Sequence, residues 1–95
     1  SLKDLKTFFN GADASAFQRL FDWGEARPEL LGQIVTILNG LPEESLPMFT
    51  PIKLVNICNE TPTAPAAWQL ITRWADSSAN TKLKKAAVSA LKKKE

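Results

Sequence analysis

Residues 66–76 read AAWQLITRWAD, with two tryptophans six positions apart. In a helix, six steps of about 100° turn the second indole by about 240° from the first, so the two cannot share a face. Ala67, Leu70, Ile71 and Trp74 follow the i, i+3, i+4, i+7 rule of a buried stripe. Trp74 belongs to that stripe, and Trp68 lies at its margin beside Ile71 and Ala75. The reading of these eleven residues as an amphipathic helix decides the fold, because the rest of the chain must cover its apolar side.

The chain supplies enough for that. It has 95 residues, of which 44% are hydrophobic, the size and composition of one domain with a packed core. Working back from the quoted helix, Thr61-Pro-Thr-Ala-Pro65 is a break. Before it, Thr50-Pro51 opens a helix in the order cap, then proline, which Ile52, Leu54, Val55, Ile57 and Cys58 fill. Leu41–Thr50 holds two prolines and reads as a connector with one helical turn. Met48 and Phe49 make it apolar for a loop. Residues 28–39 form a helix that starts at Pro28 and stops at Asn39-Gly40. Leu30, Leu31, Ile34, Val35, Ile37 and Leu38 cover more than one of its faces, which predicts a central position. Phe17, Leu20, Phe21 and Gly24 make the stripe of an earlier helix, with Trp23 to one side and Asp13 or Ser15 as its cap. Ser1-Leu-Lys-Asp4 has capping-box spacing, and a short helix with Leu2, Leu5, Phe8 and Phe9 runs to a stop at Asn10-Gly11. Beyond the quoted helix, Ser77, Ser78 and Asn80 end or cap it. Thr81–Glu95 then reads as a sixth helix or a tail. The expectation is an all-α chain: a compact bundle of four to six short helices over residues 1–80, followed by a basic C-terminal helix or tail over 81–95.

Charge divides along the same line. Residues 1–81 carry a net −3 and residues 82–95 a net +5. The lysines at 82, 84, 85, 92, 93 and 94 are either a solvated helix flank, an import signal or a nucleic-acid contact. No aromatic interleaves them, which argues against stacking on single strands. A membrane-surface helix would need bulkier apolar residues than Ala and Val. No apolar run reaches the ~20 residues of a membrane span.

Chemistry has little to stand on. There is no histidine and one cysteine, Cys58, so an internal disulfide and tetrahedral metal sites are not expected. Cys58 sits in an apolar run and reads as a small buried hydrophobe rather than a nucleophile. Asp13, Asp22, Glu25 and Glu29 read as solvated. The expectation is a protein without enzymatic activity and without cofactors or metals. A start at Ser1 rather than Met fits a piece of a longer chain.

Three successive stretches, QIVTILNGLP (33–42), TPIKLVNICNE (50–60) and AAWQLITRWAD, resemble the N-terminal domain of transcription elongation factor S-II (TFIIS), also called the LW domain. Leu70 and Trp74 fit the leucine and tryptophan of that name. Lys53-Leu54-Val55-Asn56 is similar to the preceding family helix, and the resemblance spans about 28–76. A version in a nuclear phosphatase-targeting subunit is similar too. The resemblance implies a nuclear, non-enzymatic scaffold module in transcription elongation or termination. It also implies a monomeric domain that docks short disordered motifs of partner proteins through loops at one end of the bundle. Carried onto this chain, Lys53, Asn59, Glu60, Thr61, Trp68 and Arg73 are the candidate partner contacts. Two prolines at 61–65 and a less basic body depart from the family pattern. The alternative is a nucleic-acid-binding helical domain that uses Lys82, Lys84, Lys85, Lys92, Lys93 and Lys94. A repeat unit of a larger solenoid is a third reading.

Overall fold

The computed structural model describes Phe9, residues 13–60 and residues 65–94; for residues 59, 60 and 94 it describes the backbone alone. Five α-helices lie in that part: α1 (Ala14–Ala26), α2 (Leu31–Asn39), α3 (Thr50–Glu60), α4 (Pro65–Ser77) and α5 (Thr81–Lys94). Single 3₁₀ turns, Pro28–Leu30 and Glu43–Ser45, precede α2 and interrupt the connector after it. There is no strand among the described residues, and the all-α bundle expected from the periodicity is what forms. The radius of gyration, 12.1 Å, is that of a well-packed chain of this length. The proposed first helix, with its Ser1–Asp4 cap and its stop at Asn10-Gly11, lies outside the described residues except for Phe9, which is helical and buried.

Each helix starts for a local reason. Asp13 caps α1: its carboxylate accepts from the backbone N–H of Ser15 (3.1 Å) and Ala16 (3.3 Å) and from the Ser15 hydroxyl (2.7 Å). The Ser15 hydroxyl bond first, then the N–H of Ala16, hold the Asp13 carboxyl below its usual range. Pro28 opens a 3₁₀ turn rather than the α-helix itself, which begins at Leu31. Asn80 caps α5, its side-chain oxygen accepting from the N–H of Leu83 at 3.2 Å. At the end of α2, Gly40 keeps a right-handed φ of −91°, so the stop does not use glycine's left-handed freedom.

One expected cap is not made. Thr50 is the first residue of α3, and its hydroxyl is buried without a hydrogen-bond partner among the described residues. The reason is its position. Thr50 has no exposure at all, and Pro51 next to it is buried too, so the Thr50 side chain faces the core rather than the open end of the helix.

A single core joins all five helices. Phe17, Phe21, Ile37, Leu38, Leu54, Ile57, Ile71, Trp74 and Leu83 are among its fully buried side chains. The most extensive interface is α4 on α5, followed by α3 on α5. Ala75, Ala87 and Ala90 are buried, and such small side chains let helix backbones approach closely. The C-terminal segment is therefore helical and built into the bundle, with Leu83 and Ala87 both at zero exposure.

The central helix is α3, not α2. It packs against α1, α4, α5 and the turn at 28–30, whereas α2 lies mainly against α4. Gly32, Gln33, Thr36 and Asn39 leave one side of α2 in solvent. Gly24 sets how near α1 comes to its neighbours. A Cβ there would sit 2.5 Å from the Ile57 Cδ1 methyl and 2.7 Å from that of Ile34.

The connector of residues 40–49 is pinned at both ends. Leu41 and Leu46 are buried, and Phe49 meets Phe21 edge-on with ring centroids 6.3 Å apart. Across the bundle, the Ser78 hydroxyl donates to the Glu43 carboxylate (2.8 Å) and the Asn80 amide to the Glu43 carbonyl (3.1 Å). These bonds tie the α4–α5 turn to the 43–45 turn and satisfy Ser78, which is buried.

Candidate functional site

Trp74 answers half of the question raised by the tryptophan pair. It is fully buried, with Leu70 and Ile71 beside it in the core, and its indole N–H has no partner among the described residues. Trp68 answers the other half: it is half-buried and packs against the core. Trp68 is thus a residue of the core margin.

The other candidate contacts do not converge. Arg73 is exposed, but its guanidinium donates to the Asn39 side-chain oxygen at 2.6 Å and so ties α4 to the end of α2. The two residues line a cleft of about 370 Å³ with Val35, Ala66, Gln69 and Leu70. Trp68 and Lys53 are not part of it. Lys53 is half-buried on α3. The side chains of Asn59 and Glu60, and all of Thr61, lie outside the described residues. Of the basic residues, Lys82, Lys84, Lys85, Lys92 and Lys93 are exposed on α5, and the Lys94 side chain is not described.

A larger feature lies elsewhere, between α1 and α2. A groove of about 620 Å³ has Ala16, Arg19, Leu20, Trp23 and Arg27 along one wall. Leu30, Gln33, Ile34 and Ile37 form the other, with Phe9 also lining it. Both walls are helical stripes. The first follows i, i+3, i+4, i+7, i+11 from Ala16, and the second follows i, i+3, i+4, i+7 from Leu30. Part of the wide apolar arc of α2 is thereby explained, since Leu30, Ile34 and Ile37 face the groove as well as the core. Trp23 is 62% exposed, the most exposed large apolar side chain among those described.

Both charged residues lining the groove among those described are arginines, Arg19 four positions before Trp23 on α1 and Arg27 four positions after it, just past the end of the helix. Arg27 makes one ion pair, its Nε 3.5 Å from Glu29, with both side chains about two-thirds exposed. An exposed pair of that kind contributes ~0–1 kcal/mol and opens readily to a competing carboxylate. The sequence carried a signal for this site. An indole off the buried stripe, with arginines at i−4 and i+4, marks a second face on α1.

Cys58 is 1% exposed, and burial pushes its thiol up to about 11, which leaves it protonated at neutral pH. Among the described residues no group of three or more His, Cys, Asp or Glu side chains is placed to hold a metal ion. No described helix is long and apolar enough to cross a membrane. Comparison with models of known protein families, with curated proteins and with solved structures finds no match for this chain.

Proposed function

We propose that the chain is a non-enzymatic protein-interaction module that docks short disordered segments of partner proteins, with the α1–α2 groove as the docking surface. The observation that carries this reading is the exposed Trp23 over an apolar groove walled by two helical stripes. Its volume lies in the usual ~300–1,000 Å³ range of ligand sites. Tryptophan and arginine are the residues most enriched at binding hot spots, where a large ring excludes water and a guanidinium fixes a carboxylate. Two arginines and no carboxylate among the described residues of the walls select an occupant with acidic residues around its apolar anchors. The resemblance to the S-II N-terminal domain supports the same class of role and extends it to a nuclear transcription elongation or termination complex. The groove differs from the loop surface at 59–65 that the resemblance points to.

Segments that order on binding lose conformational entropy as they do so, so the affinity is modest and rests on a few anchors. The test uses labelled disordered peptides with two or three apolar residues at helical spacing, flanked by Asp and Glu, followed by fluorescence anisotropy. Saturable binding that weakens at least tenfold in Trp23→Ala, with the melting temperature unchanged, is the expected result. Failure of every such peptide to bind, or binding indifferent to Trp23→Ala, overturns the reading.

A further inference from the structure

The groove does not use the most strongly charged feature of the molecule. Taking 100° per residue, Lys82, Lys85, Lys92 and Lys93 fall within an arc of about 100° on α5, with Ser89 inside the same arc. All four lysines are exposed. Leu83, Ala87 and Ala90, the buried side of α5, lie outside that arc, centred about 135° round the helix from its middle, and Lys84 falls outside the arc too. No carboxylate lies within α5. None of these lysines makes an ion pair among the described residues. Among the described residues the charges therefore stand together, uncompensated, on a helix whose other side is built into the core.

We propose that this outward face of α5 binds the phosphate backbone of duplex nucleic acid without sequence preference, through Lys82, Lys85, Lys92 and Lys93. Four features select that partner. Lysine ammonium groups are point charges suited to single phosphate oxygens rather than to the planar fork of a carboxylate. From Lys82 to Lys93 the helix rises about 16 Å, a length over which a duplex presents several phosphates. The arc holds no Arg, Asn or Gln to read base edges and no aromatic ring to stack on unpaired bases. Most of the apolar side of α5 is consumed by the core, and the one large apolar side chain of α5 left exposed, Val88, is too little to insert into a lipid surface, as a membrane-lying helix must do.

Four neutralised phosphates predict a log–log salt dependence with a slope of about −3.6, which is a loss of roughly 100-fold between 50 and 200 mM salt. The test measures binding of a mixed-sequence 20-base-pair DNA duplex by anisotropy across that range, for the wild type, for K85Q/K92Q and for K84Q. Glutamine is a good helix former, and circular dichroism confirms that each variant is folded. The expected result is a slope that falls to about −1.8 in K85Q/K92Q and stays near the wild-type value in K84Q, with two unrelated duplex sequences bound equally. Absence of duplex binding by the wild type at 50 mM salt overturns the proposal. An unchanged slope in the double variant, or retention by anionic phosphatidylserine vesicles in place of the duplex, does the same. The peptide affinity of the groove is a separate readout, so the two surfaces stand or fall independently.

Discussion

Removing the Trp74 side chain leaves a hole at a point with no exposure to solvent. Trp→Ala at such a site costs ~3–5 kcal/mol, a large share of the ~5–15 kcal/mol that holds a small domain. Trp74→Ala is thus expected to melt far below the wild type, or not to fold, in thermal denaturation followed by circular dichroism. Trp74→Phe is expected to lose less. It keeps an aromatic ring and removes a buried N–H that has no partner among the described residues, a group that itself costs ~1–3 kcal/mol. Trp23 is the contrast, because its ring is mostly in water and its removal changes stability by ~0.5 kcal/mol or less. Periodicity alone separated Trp74 from Trp68. It left Trp23 as a residue beside a stripe, because an apolar side chain off the core face gives no sign of what lies across from it.

Among the elements, α1 makes two measurable claims. The Asp13 cap works through an ionised carboxylate whose folded-state value is lowered. Its contribution is fully present above the unfolded value of about 3.9 and is lost as the pH falls through the lowered value. In Asp13→Asn, which keeps an acceptor but cannot ionise, that acid-dependent part of the unfolding curve is expected to disappear in an acid titration followed by circular dichroism. The two described helical glycines give the second claim. A Cβ at Gly32 meets nothing within 4 Å, so Gly32→Ala gains the helix preference of alanine, about 0.5–1 kcal/mol. Gly24→Ala gains the same helix preference but forces two buried isoleucine methyls aside, and overpacking of that kind costs ~1–3 kcal/mol, which outweighs the gain. Urea denaturation is expected to rank the variants Gly32→Ala, wild type, Gly24→Ala in falling stability. The helix start at Asp13 was legible in the sequence, whereas Asn80, read as ending the helix before it, instead caps the start of α5. The missing cap at Thr50 was not legible, since whether a hydroxyl turns outward or into the core depends on how the helices pack around it, which no local motif records.

At the scale of the whole molecule, five described helices share one interior. Apolar spacing was sufficient to predict that outcome from Phe17 to Trp74. It left 81–94 open between helix and tail, because alanines carry little apolar signal, yet Ala87 and Ala90 are buried where α5 meets its neighbours. It also placed the widest apolar arc at the centre, when part of that arc lines a groove that only the pairing of α1 with α2 creates. The account rests on that groove, rather than the margin around Trp68 and Arg73, being where a partner docks. Amide and indole chemical shifts, followed by heteronuclear NMR as an acidic, apolar-anchored peptide is added, test this most directly. The predicted result is a set of shifts at Ala16, Arg19, Leu30 and Gln33 and at the Trp23 indole, with α5 unmoved. Shifts centred on Trp68, Gln69 and Arg73, with the Trp23 indole unmoved, would contradict it.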